Sequence, residues 1–472
     1  MSAAIPCETC DTEFYDKNNE HKGKIMRNKK SLFIVLAIVV LVLTLSVALV
    51  ACGEKSQPEP AFLLASESED GYATVYAPSD RDFRLMVLSD PQVDVFEKYK
   101  VVGSPGNDKT YEFIEDFVKE TDPDLVIING DLVMNDNPFM SSAPFFKRYA
   151  EIFERLQKPW AFTFGNHDLD GRYENGSATM DSQYFQCSKE KLITYFNENY
   201  KYCLINTDEK CEDGGGNYFV NVRKRSGELM YSLCLFDCQF DEENYTYSYV
   251  PTANQVSWYK GTINSLSDKE YGVDRNGKTV KSMIFNHVGI PEFKTAWDEA
   301  YNDGNVTEDY FYGYKFDGNY TNNYGDMPED EQIFSVAKNL GSTTAIFMCH
   351  HHDNDFSVNY HGIRLTFGQH SGYSHNYRTT HKTHGNTVED YESWSGVSFK
   401  RVDDYGDQRG GTLVTLNVNG RFEITPVYAK EALSNFKEKY YIDYDLVAAA
   451  LDANPDFDGP VARGENRAWK ID

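Results

Sequence analysis

From Arg84 onward, short apolar runs repeatedly stop at a residue able to bind a metal ion, and this recurring junction constrains the fold more than any other feature of the chain. Leu85–Leu88 runs into Ser89-Asp90-Pro91-Gln92, and Leu125–Ile128 into Asn129-Gly130-Asp131. Trp160–Phe164 runs into Gly165-Asn166-His167-Asp168, Ser282–Phe285 into Asn286-His287, and Thr344–Met348 into Cys349-His350-His351-His352. Runs of this length, rich in β-branched and aromatic residues, read as buried strands. In α/β sheets the carboxyl ends of strands gather along one edge, so groups far apart in sequence meet there. Oxygen and imidazole donors together suit Mn, Fe or Zn. Singly, each junction has an ordinary reading: an Asp after a strand is a turn or cap residue, an Asn-His is structural, and a triple His is a solvated loop. Their order and repetition carry the inference.

The rest of the region supports an α/β class. Tyr218–Val222, Leu229–Leu235 and Gly362–Phe367 are further strand candidates. Helices are expected around Phe113, Ile114, Phe117 and Val118, around Tyr149, Ile152, Phe153 and Leu156, and around Ile333, Val336, Ala337 and Leu340, from their three- and four-residue spacing. Thr412–Asn417 and Arg421–Val427 flank Asn419-Gly420, a hairpin signal that closes the domain. Residues 170–216 and 297–330 are rich in Tyr, Asn, Asp and Gly with little periodicity. They are expected to be long excursions at the rim of the active face, whose tyrosines are either solvated or available to grip a substrate. Domain limits are set at 81–430, with a Ser-, Glu- and Pro-containing linker at 53–80 and a tail of unknown role at 431–472. With 41% hydrophobic and 14% aromatic residues the chain has ample material for a large core. The net charge of −27 argues against a nucleic-acid surface, and a polyanionic ligand would need a local cationic centre.

The stretch Ser31–Gly53 carries no charge and follows Arg27, Lys29 and Lys30, so it enters a membrane either as a spanning helix or as a signal-peptide core. Leu49-Val50-Ala51-Cys52 resembles a bacterial lipobox, which makes Cys52 the candidate lipidation site and favours 31–52 as a lipoprotein signal. Both readings leave residues 1–30 inside as a cytoplasmic leader and place the remainder outside a bacterial cell membrane. Met26-Arg27-Asn28-Lys29-Lys30 is an ordinary signal start, so translation is expected to begin at Met26. In that case Cys7 and Cys10, an isolated pair lacking the second pair of a zinc site, lie outside the protein. Cys187, Cys203, Cys211, Cys234, Cys238 and Cys349 would lie in an oxidising space, with room for one or two disulfides of unknown pairing. Cys234 and Cys238 are too far apart along a strand to pair with each other.

The five junctions, in this order, resemble the blocks of calcineurin-like metallophosphoesterases: DxH, GDxx, GNH(D/E), a histidine after a later strand, and GHxH. The likeness extends from about Arg84 to Val427. Gly216-Asn217-Tyr218, Phe236-Asp237, Gln255-Val256-Ser257-Trp258-Tyr259, Pro291-Glu292 and Gly362-Ile363 resemble the branch near the purple acid phosphatases that includes yeast-type intracellular phosphatases. The resemblance implies a four-layer αββα sandwich of two mixed sheets, two divalent ions (Mn, Fe or Zn, with Mg a further option) and a metal-activated water attacking a phosphoester. It implies Asp90, Gln92 and His352 on one ion, Asn166, His287 and His350 on the other, and Asp131 between them. His167 is then the candidate catalytic proton donor, and Asp168 the group that orients its ring. Three departures stand out: Gln92 where histidine is usual, Met134 where purple enzymes have a tyrosine, and Cys349 where the last block has glycine, read as a small buried residue rather than a ligand. The implied partner is a phosphoester substrate, and no protein partner is inferred. A phosphodiesterase for nucleotides or lipid head groups, and a catalytically weak surface-binding module on the same scaffold, remain alternatives.

Overall fold

The computed structural model describes residues 61–95, 106–135, 141–168, 188–238, 250–299, 323–352, 354–374 and 409–441, with short strands at 240–241, 246–247 and 310–314. Cys7, Cys10, Met26, Cys52 and Cys187 lie outside the described residues. The described part falls in a compact unit, Ala61–Asp472. Its strands in chain order are β1 Phe62–Leu63, β2 Ala73–Tyr76, β3 Phe83–Leu88, β4 Val93–Asp94, β5 Leu125–Asn129, β6 Val133–Met134, β7 Trp160–Thr163, β8 Tyr218–Arg223, β9 Leu229–Leu235, β10 Phe240–Asp241, β11 Thr246–Tyr247, β12 Ser282–Phe285, β13 Tyr310–Tyr314, β14 Thr343–Met348, β15 Asp355–Tyr360, β16 Ile363–Phe367, β17 Gly410–Leu416 and β18 Phe422–Tyr428. The helices are α1 Gly106–Thr121, α2 Ala143–Leu156, α3 Lys189–Asn199, α4 Ala253–Tyr271, α5 Glu292–Trp297, α6 Ile333–Leu340, α7 Ala429–Ala432 and α8 Phe436–Lys439.

Two mixed sheets form, ordered β18-β17-β3-β5-β7 and β1-β2-β8-β9-β12-β14-β16-β15-β13. Strands β3, β5 and β7 run parallel, as do β9, β12, β14 and β16. Parallel strands are buried on both faces, which is why these segments read as unbroken apolar runs. The two-residue period of a strand divides the second sheet cleanly. Leu233, Leu235, Met283, Phe285, Ala345 and Phe347 join the core shared with β3, β5, α1 and α2. Cys234, Ile284 and Ile346, on the other face, pack with Val256, Tyr259 and Ile263 of α4 and with α5 and α6. Helices therefore cover both outer faces of two facing sheets, the expected αββα sandwich.

Several local expectations are corrected. The segment expected to be a linker up to residue 80 is folded from Ala61 on, because β2 pairs with β8 and buries Ala73 and Val75 in the main core. The domain also runs past residue 430. Leu433, Phe436 and Tyr440 are core residues, and Asp116 of α1 accepts hydrogen bonds from Lys439 Nζ (2.7 Å) and Tyr440 Oη (2.6 Å). Within 170–216, α3 is regular and inserts Leu192, Ile193 and Phe196 into the core, with Ser188 Oγ capping Lys191 N. Cys203, Cys211, Cys234, Cys238 and Cys349 are buried free thiols, so none of the described cysteines forms a disulfide. Among the described residues no helix is long and apolar enough to cross a membrane.

Candidate metal centre

The turns that follow β3, β5, β7, β12 and β14 converge where the two sheets meet, and each is built to hold a donor at a fixed angle. Asp90, Gln92, Asp131 and His350 all take positive φ values (46, 40, 49 and 77°), a region that non-glycine residues seldom occupy and that clusters at functional sites. The turns also approach one another closely. A Cβ on Gly165 would overlap the Asp131 carboxylate, and one on Gly130 would overlap the His287 ring.

All seven sequence-derived donors are brought together. Asp131 is at the middle: its Oδ2 accepts from Gln92 Nε2 (3.0 Å) and faces His287 Nε2 (3.1 Å), while its Oδ1 accepts the His167 amide (2.8 Å). Asp90 Oδ1 faces His352 Nε2 at 3.3 Å, and Asp90 Oδ2 accepts the His350 amide at 3.1 Å. His287 Nε2 also lies 3.1 Å from Asn166 Oδ1. Asp131, His287 and His350 form one set of mutually close donors, Asp90, Asp131 and His352 a second, and Asp90, His287 and Cys349 a third.

This donor set fits divalent ions. Asp90, Asp131 and His287 are almost wholly buried, and the ion-pair partners of the two carboxylates are histidines. Asp90 Oδ1 and Gln92 Oε1 are buried oxygens without a hydrogen-bond partner, a costly condition that a cation would relieve. Burial alone would raise the Asp131 carboxyl, but the charges of His287 and His167 outweigh it and hold Asp131 well below the usual range. Burial pushes His350 well below its ordinary value, aided by repulsion from His287, which leaves a neutral imidazole of the kind that ligates metals. For His287 burial works against protonation, yet the Asp131 charge holds it well above the usual range. An ion bound here would compete with that proton.

Asp168 departs from its expected role as orienter of the His167 ring. Its Oδ1 accepts from Val133 N (2.8 Å) and its Oδ2 from Gly165 N (2.7 Å), so it ties the turn after β7 to the segment after β5. Burial, with the nearby Asp131 charge, pushes its carboxyl up to about 7.

Asn129 and His370 contribute without having been assigned a role from sequence, and Cys349, buried as expected, reaches the site as well. Asn129 O accepts from His287 Nδ1 (3.0 Å) and from the Cys349 thiol, fixing which ring nitrogen faces the site. Cys349 Sγ lies 3.1 Å from His287 Nδ1, so this small residue touches a donor directly. His370 stacks its ring on His352, centroids 4.9 Å apart and planes within 5°. A signal for His370 existed: it follows β16 as the metal donors follow their strands.

Residues 83–274 match the calcineurin-like phosphoesterase family. A curated relative called "Probable inactive purple acid phosphatase 28" from Arabidopsis thaliana is 22% identical over 317 residues, 62% of this chain and 72% of the relative. Phosphatase DCR2 from Saccharomyces cerevisiae is 23% identical over 252 residues, half (50%) of this chain but only 40% of that protein. Among solved structures, a dimetal phosphatase from Danio rerio aligns with a TM-score of 0.40 at 10% identity, covering 72% of this chain and 94% of that one. A purple acid phosphatase from yellow lupin seeds aligns with a TM-score of 0.38 at 12% identity, covering 75% and 54%.

Proposed function

Starting from a calcineurin-like phosphoesterase domain at residues 83–274, a metal-dependent phosphoester hydrolase by family, we propose that this chain cleaves its substrate at a centre of two divalent ions. The observation that carries the reading is the position of Asp131, whose carboxylate meets Gln92 and His287, donors from opposite sheets, through one oxygen. Asp90, Gln92 and His352 would hold one ion, Asn166, His287 and His350 the other, and Asp131 both. When bound, the two ions supply charge that neutralises the phosphoryl oxygens and acidifies the attacking water.

The chain's own groups do the rest. The His167 amide, held by Asp131 Oδ1, fixes the start of the turn that carries the His167 imidazole, the group proposed to protonate the departing alkoxide. Asp168 keeps that turn against Val133, so it acts as a positioning residue. The Asn129 carbonyl orients His287. Mn, Fe or Zn are the ions proposed, with Mg next, because the mixed oxygen and nitrogen donors do not select one metal.

Hydrolysis of p-nitrophenyl phosphate and of its bis-ester, with Mn or with chelator, tests the reading beside His167→Ala and Asp131→Asn. Turnover that requires metal and falls by about 100-fold or more in both variants is the expected result. A folded, metal-loaded protein silent on both esters would point to a narrow natural substrate, whereas failure to bind metal would end the enzymatic reading and favour a binding module on the same scaffold. We further propose that Cys52 is lipidated and that the domain works outside the membrane, on the strength of the uncharged stretch Ser31–Gly53 behind Arg27, Lys29 and Lys30. Labelled fatty acid should enter the wild-type chain and not Cys52→Ala; label retained by the variant would refute lipidation.

A further inference from the structure

His370 is held more rigidly than a residue after a strand needs to be. Its backbone forms a parallel bridge with Ser89, the residue before Asp90. On either side, Ser371 N donates to Ser89 O (2.8 Å), Ser89 N donates to Ser371 Oγ (3.1 Å), and Gly410 N donates to the His370 carbonyl (3.3 Å). Ser371 Oγ in turn donates to Gly410 O at 2.8 Å. The flanking glycines let this loop lie flat on the Asp90 turn: a Cβ on Gly372 would overlap the Pro91 carbonyl, and one on Gly368 the Ser89 hydroxyl. Arg409 Nε then donates to Gly372 O at 2.6 Å.

From this platform the imidazole lies parallel to that of His352 in a stacked arrangement, 4.9 Å between centroids and 5° between planes. An imidazole binds an ion through a lone pair lying in its own ring plane. Two rings in parallel stacked planes therefore cannot aim at one ion between them, so the stack argues against His370 as an extra ligand. What the stack does restrict is rotation of His352 about its side-chain bonds. His352 needs that restriction, because the nitrogen facing Asp90 Oδ1 is 3.3 Å away and the neighbouring donor, Gln92, offers an amide rather than a second imidazole. A weaker donor set depends more on how well its remaining donors are pre-arranged.

We propose that His370 is a positioning residue whose flat face fixes the ring plane of His352 and so sets the affinity of the ion shared by Asp90, Gln92 and His352. This rests on the two-ion reading above. The test is Mn binding by titration calorimetry, with ion content by mass spectrometry, on chelator-treated wild type, His370→Ala and His370→Phe. Two ions should bind the wild type. His370→Ala should bind one of them about tenfold more weakly, the low end for outer partners of a metal site, with the other ion unaffected. His370→Phe, which keeps a flat ring and no nitrogen, should restore the affinity. The melting temperatures of the metal-free proteins identify a variant that has merely lost its fold. Wild-type affinity in His370→Ala would overturn the brace, and His370→Phe as weak as His370→Ala would overturn it too, since a nitrogen would then be the active part. Fewer than two ions on the wild type would instead remove the two-ion reading itself.

Discussion

Adding one methyl group at Gly165 should leave a folded protein with a disabled centre. The Cβ of an alanine there would stand 2.5 Å from the Asp131 amide nitrogen and 2.8 Å from its carboxyl carbon, with Oδ1 nearer still. Restoring ordinary contact, about 3.5 Å, requires the two turns to part by about 1 Å. The two bonds that cross between the turns, His167 N to Asp131 Oδ1 and Val133 N to Asp168 Oδ1, both 2.8 Å, cannot both survive such a shift. Overpacking of this kind costs about 1–3 kcal/mol, which lowers the melting temperature by only a few degrees in a domain of this size. A displacement of about 1 Å at a reacting centre, by contrast, costs on the order of 100-fold in rate. The assay pairs thermal unfolding with metal content and p-nitrophenyl phosphate turnover for Gly165→Ala, beside Gly261→Ala as a control. Gly261 lies in α4 with open space where its Cβ would go, so that alanine should stabilise the protein by about 0.5–1 kcal/mol and leave turnover intact. Gly165→Ala with metal content and turnover within tenfold of wild type would refute the packing of these turns.

Other expectations follow from the same coordinates. Tyr259→Phe removes a buried hydroxyl shared with Ser282 Oγ (2.7 Å) and Thr343 Oγ1 (2.6 Å), so denaturant titration should show a loss of about 1–2 kcal/mol; an unchanged midpoint would contradict the network. Burial acts to raise the Asp116 carboxyl, but hydrogen bonds from Lys439 and Tyr440 overcome it and leave the carboxyl below its ordinary value of 3.8. A depressed carboxyl contributes stability that is present above its unfolded value and lost as pH falls through the folded one. Protection of the α7 and α8 amides, measured against their intrinsic exchange rates, should therefore fall below about pH 4, and Asp116→Asn should abolish that fall. For Asp168, tied to the backbone through both oxygens, Asp168→Ala should weaken metal retention and loosen the turn after β7. Intact metal content with turnover reduced by orders of magnitude would restore it to a direct role beside His167.

Legibility in the sequence followed burial. Strands such as Leu229–Leu235 and Ser282–Phe285 were readable to the residue, because both faces are packed and the only strongly polar side chains in them are the small hydroxyls of Ser232 and Ser282. Where the buried face is itself polar, the signal faded. Helix α4 buries Gln255, Thr262 and Ser267 along with its apolar residues, so its periodicity is diluted, although the Thr252–Gln255 capping box marks its start. Strand β2 is four residues long and follows a Ser- and Glu-rich stretch, and only its pairing with β8 makes it a strand. At the centre, donor positions were visible because a metal-capable residue after an apolar run is a local pattern. Contacts made between turns were not: Asp168 on Val133 N, Cys349 against His287 and His370 on His352 depend on how separate loops meet.

The seven donors are divided between the sheets: Asp90, Gln92, Asp131 and Asn166 follow strands of one, His287, His350 and His352 strands of the other. Under the two-ion reading, each bound cation is thus a rivet through the sandwich, performing the cross-linking that the buried free thiols do not. Occupancy at 100 times the dissociation constant adds about 2.7 kcal/mol per site to the folded state. Ion supply in the surroundings then governs how long the molecule survives as well as how fast it works, and scarcity would remove the two together.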